Sequence, residues 1–283
     1  MLKKIAILLE MIKFEHTVFA LPFAFMGAFL AARGVPDMVT FGWIILAMVG
    51  ARTSAMGFNR IVDREFDKLN PRTASRALPA QTVKTSEAWA MVILASALFF
   101  FACYNLNQLT LILSPFALGL TLFYSLTKRF TWLCHIVLGL ALAFSPLGGW
   151  VAVSGSLHNY PYVLSIGVLF WVAGFDTVYA CLDADFDANI GLFSLPSRFG
   201  RQNAFRIAVL FHVIAFILFV MTGIISRLNF LYYIGIILTG AALFYQHLVV
   251  NPRDLSRIQL SFFTMNGLIS LTLFVATWLS LVV

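Results

Sequence analysis

The sequence predicts an all-α, polytopic membrane protein with nine transmembrane helices around a central cavity, in a single domain over residues 1–283. Three observations carry that reading. Hydrophobic residues make up 61% of the chain and charged residues 11%, and the mean hydropathy is +0.91. A soluble domain of this size needs far more charge on its surface. Apolar runs recur, each long enough to cross a hydrocarbon core of about 30 Å. Lys and Arg concentrate in alternate connections between those runs, as positive-inside orientation requires.

Residues 1–15 place Leu2, Ile5, Leu9 and Ile12 at helical spacing, with Lys3, Lys4, Glu10 and Lys13 elsewhere. This pattern predicts an amphipathic helix suited to a membrane surface. The long apolar run starts only near Thr17, so a cleavable signal peptide is not expected and the first span is retained. Nine runs are placed near 17–33, 38–59, 87–104, 108–126, 131–153, 160–182, 204–226, 228–250 and 260–282. With the N-terminus inside, sixteen of the 19 Lys and Arg fall on the inner side. Arg33 and Arg227 fall outside, and Arg52 lies within a span. Spans two, four, six and eight then all end at the inner face. The net charge of +7 does not point to nucleic acid, because the basic residues sit in loops between apolar runs. Cys103, Cys134 and Cys181 are odd in number and lack metal-ligand spacing, so no disulfide framework is expected.

Acidic residues are scarce and clustered. Seven of the 12 lie in two stretches, NRIVDREFD and DTVYACLDADFD. Each stretch contains a DxxxD pair, Asp63/Asp67 and Asp183/Asp187, and each follows an apolar run. One helical turn separates the members of a pair, which places them on one face. Counted on a continuous helix, Asp176, Asp183 and Asp187 fall within roughly 40° of one another, and Asp185 points away. Carboxylates on one stripe repel unless a cation joins them. A hard divalent ion with oxygen ligands suits them, and Mg²⁺ shares its shell with substrate phosphate. A single DxxxD reads more simply as a solvated helix end; two copies at equivalent segment ends do not. The expected metal-binding set is Asn59, Asp63, Asp67, Asp176, Asp183 and Asp187. The catalytic core within it is Asp63, Asp67, Asp183 and Asp187.

Basic and aromatic residues surround this set. Arg52 lies seven residues before Asn59, on nearly the same helix face. A charge inside a span usually faces a polar cavity or partner, and the guanidinium fork suits a carboxylate. Tyr124 and Lys128 share a face by their i, i+4 spacing, a placement that also suits interfacial anchoring. Arg72 and Arg76 lie between Asn70-Pro71 and Leu78-Pro79, and Arg198 lies in GLFSLPSRFG. All three are placed to clamp phosphate or lipid head groups. These two stretches, near 60–86 and 183–203, are the longest connections, and long loops beside a site are often lids or binding loops. His135, His212 and His247 show no metal-ligand grouping and read as buried structural histidines. The ensemble describes a membrane cavity with acidic walls, nearby cations and a deeper Arg. Carboxylates would hold Mg²⁺, Mg²⁺ would hold a diphosphate, and an apolar diphosphate in a membrane is a prenyl diphosphate.

At these residues the sequence resembles the UbiA superfamily of intramembrane prenyltransferases. The resemblance spans nearly the whole chain. It includes NRIVDREFDKLNPRTASRALP, YSLTKR and DTVYACLDADFDANIGLFSLPSRFG. It implies that the two acidic motifs hold Mg²⁺ and the prenyl diphosphate, with Tyr124, Lys128, Arg72 and Arg76 near the diphosphate. It implies that Arg52 contacts an aromatic carboxylate. The implied acceptor is 4-hydroxybenzoate or 1,4-dihydroxy-6-naphthoate, in ubiquinone or menaquinone biosynthesis. Haem, a chlorophyll precursor and homogentisate are other acceptors within the superfamily. The implied location is a bacterial inner membrane, with the site on the cytoplasmic side. Arg60 is a departure, because many members carry Asp directly after the Asn. A secondary transporter is the competing class, but it should carry its charges near the midplane rather than at one face.

Overall fold

The regular elements of the computed structural model, which describes residues 2–12 and 21–283, are all helical. No strand forms among the described residues. Helices α1 (Leu2–Met11), α2 (Leu21–Ala32), α3 (Met38–Val62) and α4 (Arg64–Leu69) open the chain. They are followed by α5 (Thr85–Leu106), α6 (Gln108–Thr127), α7 (Cys134–Ser154) and α8 (Tyr162–Ala180). The short α9 (Ala184–Asn189) precedes α10 (Leu195–Ile225) and α11 (Phe230–Val249). A π-helical turn at Leu260–Met265 leads into α12 (Asn266–Val282).

Eight helices among the described residues are long and apolar enough to cross a membrane. The first of the nine expected runs is described only in part. The described part of that span is the 12-residue α2, about 18 Å at 1.5 Å per residue. Residues 17–20 lie outside the described residues, as does Lys13. The apolar composition and these helices make the chain an integral, multi-pass membrane protein. Leu94, Phe116, Ile237 and Phe244 stay exposed on the outer faces of their helices, where lipid rather than water is the neighbour.

Local signals start the helices where the hydropathy pattern does. Asp37 Oδ1 accepts from Val39 N–H and Thr40 N–H at 3.1 and 2.9 Å and caps α3. Asn107 caps α6 through Thr110 N–H, while its amide donates to Val151 O and Ala152 O of α7. That one side chain starts a helix and ties it to its neighbour. Without a hydrophobic drive between helices in lipid, close packing must hold them together. The α2–α7 crossing shows how tight it is. A Cβ on Gly149 would lie 1.9 Å from Ala24 O, and one on Gly27 would lie 1.9 Å from Pro146 O. Behind this crossing, Phe23, Trp171, Phe219 and Tyr232 are fully buried in the main core.

Helix α1 does more than lie flat. Its Met11 and the following Ile12 are buried against Leu78, Val83 and Ala88. Arg60 Nε of α3 donates to Met11 O at 2.9 Å. The departure at position 60 thus has a structural reason: this Arg is a buried strut from α3 to the N-terminal helix.

Candidate active site

The two acidic motifs are built alike, and not as one continuous helix. Helix α3 stops at Val62, Asp63 adopts φ −90° and ψ 1°, and the six-residue α4 follows. Helix α8 stops at Ala180, Asp183 adopts φ −105° and ψ 5°, and the six-residue α9 follows. In each motif the second Asp donates its N–H to the carbonyl of the first at 2.8 Å. The expected face-sharing within each DxxxD therefore holds. The stripe of Asp176, Asp183 and Asp187 is corrected, because the chain turns between α8 and α9. Asp176 stays in the span, and the other two project from the turn and the short helix.

Every expected site residue except Arg198 lines one cavity of about 1310 Å³. Arg198 is exposed and absent from that lining. Ser194 caps α10 and turns Leu195 and Pro196 inward, which leaves Arg198 on the outer side of the first turn. Arg52 and Tyr124 also line a second, largely apolar cavity of about 170 Å³ among α3, α5, α6 and α7. Seven residues of α3 separate Arg52 from Asn59, about 10 Å of rise. Arg52 is therefore the deep end of the polar site and the mouth of the apolar one.

The connection after α4 crosses from the first motif to the second. Arg72 Nε donates to Asp183 Oδ1 at 2.9 Å, and its Nη2 pairs with Asp183 Oδ2. Arg72 Nη1 donates to Tyr179 Oη at 3.2 Å. Asn70 Nδ2 donates to Asp183 Oδ1 at 2.9 Å, while Asn70 Oδ1 accepts from Arg72 N–H at 3.0 Å. Arg76 Nη1 spans both oxygens of Asp67 at 2.7 and 2.9 Å. On the far wall, Lys128 Nζ stands 3.6 Å from Asp187 Oδ1, and Arg129 Nη2 stands 4.0 Å from Asp63 Oδ1. Asn59 Nδ2 donates to Asp63 Oδ2 at 2.9 Å. Asp176 Oδ2 lies 2.7 Å from Nδ1 of the buried His135.

These contacts divide the carboxylates into two kinds. Burial works against an ionised Asp183, but the bonds from Arg72 and Asn70 outweigh it and hold its pKa below the usual range. Burial likewise works against the Lys128 ammonium, but Asp187, Asp63 and Asp183 together raise its pKa. Asp63 and Asp187 go the other way. Burial pushes Asp63 up to about 6, with Lys128 opposing and Asp67 adding to the rise. Burial also raises Asp187, against the pull of Lys128.

Asp63 Oδ1 and Asp187 Oδ1 are buried and make no close hydrogen bond; their nearest cations are Arg129 Nη2 at 4.0 Å and Lys128 Nζ at 3.6 Å. A buried carboxylate oxygen held only at that distance has room for a closer cation, so these oxygens fit a hard divalent ion. Among the described residues, no three His, Cys, Asp or Glu side chains group closely enough to hold a metal alone. Arg72 and Arg76 occupy Asp183 and Asp67, so the six expected ligands form two half-sites rather than a closed cage. Mg²⁺ commonly uses one or two carboxylates and completes its shell with phosphate and water.

The sequence reading passed over four residues that the fold brings to the site. Asn70 was legible only as a loop signal in Asn-Pro. Tyr179 and Arg129 gave only the ordinary pattern of interfacial anchors. His135 was set aside as a buried structural histidine, and its partners lie 41 and 60 residues away.

Comparison with known proteins agrees with this architecture. The sequence model of the UbiA prenyltransferase family matches residues 20–268. A 4-hydroxybenzoate octaprenyltransferase of Citrobacter koseri is 31% identical over 257 residues, covering 89% of this chain and 87% of the relative. The enzyme of the same name from Yersinia pseudotuberculosis is 32% identical over 251 residues, covering 89% and 86%. The apo structure of a UbiA homolog from Aeropyrum pernix superposes with a TM-score of 0.86 at 35% identity, covering 93% of this chain and 96% of that one. A UbiA homolog from Archaeoglobus fulgidus, solved with DMAPP and Mg²⁺, shares the fold with a TM-score of 0.72 at 20% identity, covering 98% and 99%. With its membrane bundle, its paired acidic turns and a family match over most of its length, this chain belongs to the UbiA prenyltransferase family.

Proposed function

We propose that this prenyltransferase moves a polyprenyl group from prenyl diphosphate to a small aromatic acid of the 4-hydroxybenzoate type, as a step in quinone biosynthesis, with Mg²⁺ as cofactor. One observation carries the reading. Two buried carboxylate oxygens without a close hydrogen bond, on Asp63 and Asp187, share a cavity with Arg72, Arg76 and Lys128, and that cavity adjoins an apolar one at Arg52. The relatives named for 4-hydroxybenzoate support the acceptor, and the Archaeoglobus homolog solved with DMAPP and Mg²⁺ supports the donor and metal.

Asn59, Asp63 and Asp67 on one wall, and Asp176, Asp183 and Asp187 on the other, would hold the metal. When bound, Mg²⁺ supplies positive charge to the departing diphosphate. Lys128, Arg72 and Arg76 bind the remaining diphosphate oxygens, and Tyr124 lies beside them. Arg72 and Arg76 already hold Asp183 and Asp67, so they place these carboxylates as well as the substrate. The apolar cavity excludes water from an allylic cation, which would otherwise be hydrolysed. Arg52 offers its fork to the acceptor carboxylate about 10 Å beyond Asn59. Diphosphate leaves with the C–O electron pair, the aromatic ring bonds to the allylic cation, and the ring proton passes to the released diphosphate as aromaticity returns.

The sixteen inner Lys and Arg support a site on the cytoplasmic side of a bacterial inner membrane. The acidic groups gather where α3 and α8 end, which disfavours a transporter with a midplane ion path. The test is product formation by purified protein in lipid, with Mg²⁺, a prenyl diphosphate, and 4-hydroxybenzoate and 1,4-dihydroxy-6-naphthoate in parallel. A prenylated 4-hydroxybenzoate by mass is expected. A product from the naphthoate alone moves the chain to the menaquinone route. Diphosphate release without either product points to another acceptor, and no turnover by folded protein overturns the reading.

A further inference from the structure

We propose that His135 is a positioning residue for prenyl transfer, acting through Asp176. The inference rests on the reading of the site given above. His135 is the second residue of α7, and its side chain is only 3% exposed. Its two ring nitrogens do different work. Nδ1 lies 2.7 Å from Asp176 Oδ2, and Nε2 lies 3.3 Å from the backbone nitrogen of Leu195. A backbone N–H can only donate, so Nε2 must accept and carries no proton. The ring proton is then on Nδ1 and is donated to Asp176 Oδ2. The geometry selects one tautomer of a neutral imidazole.

Both bonds matter to the site. Leu195 is the first residue of α10, where backbone N–H groups have no intrahelical acceptor. Ser194 Oγ takes the Ser197 N–H at 3.2 Å, and His135 takes the Leu195 N–H. Phe193 N–H donates to Lys128 O at 2.7 Å in the same connection. The connection read from the sequence as a lid or binding loop is thus fastened to α7 and to the residue carrying the site ammonium. One imidazole thereby joins α7, α8 and α10.

At its other edge, the same ring fixes one oxygen of Asp176. Asp176 itself lines the cavity. Asp176 lies in the regular part of α8, whereas Asp183 and Asp187 lie beyond the break. The register of α8 places Asp176, and the hydrogen bond from His135 sets the direction of its carboxylate. Removing hydrogen-bond partners that orient a metal-binding carboxylate commonly costs about 10–100-fold in metal affinity or activity.

The test uses full-length His135→Asn, His135→Gln and His135→Leu in lipid, with Mn²⁺ as a spectroscopic stand-in for Mg²⁺. Mn²⁺ binding is read by electron paramagnetic resonance in the presence of inorganic diphosphate, alongside the thermal midpoint. The Asn amide can replace Nδ1–H toward Asp176. The longer Gln amide can replace Nε2 toward Leu195. His135→Gln should therefore weaken Mn²⁺ binding about 10–100-fold with the midpoint kept, and His135→Asn should stay within about threefold of the parent. Equal losses in both variants would mean that the ring only braces the fold. Parental Mn²⁺ binding in His135→Gln would also overturn the proposal. Absence of Mn²⁺ binding by the parent protein would instead overturn the metal reading, and this inference with it. If His135→Leu fails to fold, the Asn and Gln pair still decides.

Discussion

Replacing Asp63 with asparagine should make the apo protein more tolerant of neutral pH while removing Mg²⁺-dependent transfer. The side chain is 13% exposed, and burial lifts its pKa from 3.8 to about 6. Two units correspond to about 3 kcal/mol at roughly 1.4 kcal/mol each. The sign follows from where the proton sits. Below about pH 4 the carboxyl is neutral in both folded and unfolded chains, and it adds no penalty. Between about pH 4 and 6 the unfolded chain releases its proton while the folded chain keeps it, so stability falls as pH rises. Above about pH 6 the loss is complete. Asparagine does not titrate, so the stability difference between variant and parent should open by about 3 kcal/mol between pH 4 and 7.5, or about 6 °C in midpoint. Any fixed cost of the amide cancels in that comparison. The assay is thermal unfolding in lipid nanodiscs at the two pH values, followed by intrinsic fluorescence. Mg²⁺ with inorganic diphosphate should close the gap, because a cation at Asp63 Oδ1 offsets the burial of its charge. The same gap at both pH values would refute the reasoning.

Two further predictions concern the deep end of the site and the scaffold. Arg52→Ala should raise the KM for the aromatic acid about 10–100-fold, the loss of a charged hydrogen-bonded pair, and change the donor KM by less than about threefold. Equal changes in both, read from steady-state kinetics, would remove Arg52 from acceptor binding. Gly149→Ala should lower the thermal midpoint by the equivalent of about 1–3 kcal/mol or more, because its Cβ would meet Ala24 O at 1.9 Å and the backbones must separate. Gly148→Ala, with nothing within 4 Å of the added carbon, is the control and should leave the midpoint unchanged.

Much of the candidate site was legible because its residues are placed by local spacing. Asp63 and Asp67 face together because four residues make one turn, and the same holds for Asp183 and Asp187. The multi-pass architecture was legible for a similar reason: an apolar run long enough to cross a membrane is local in sequence, and eight such helices form among the described residues. The breaks at Asp63 and Asp183 were not legible. Neither position is Gly or Pro, and each sits in a sparsely favoured backbone region next to partners from distant segments. Continuous helical counting carried past the second break, and the Asp176 stripe failed there. Arg198 failed for a related reason: the Ser194 cap set the rotation of the α10 first turn, and a motif fragment does not encode that rotation.

Composition and hydropathy determined the class of molecule, an integral multi-pass membrane protein. These properties depend on the transfer of single residues between water and lipid, and a sequence lists residues singly. The tertiary structure alone decided which cation meets which carboxylate. Arg72 reaches 111 residues along the chain to Asp183, Lys128 meets Asp187, and His135 joins Asp176 to the start of α10. Such pairings depend on distances of a few ångströms between groups far apart in the chain, and only the packing of the helices sets those distances. The loosely held oxygens of Asp63 and Asp187 are of the same kind, because a missing close hydrogen bond exists only once every neighbour has been placed.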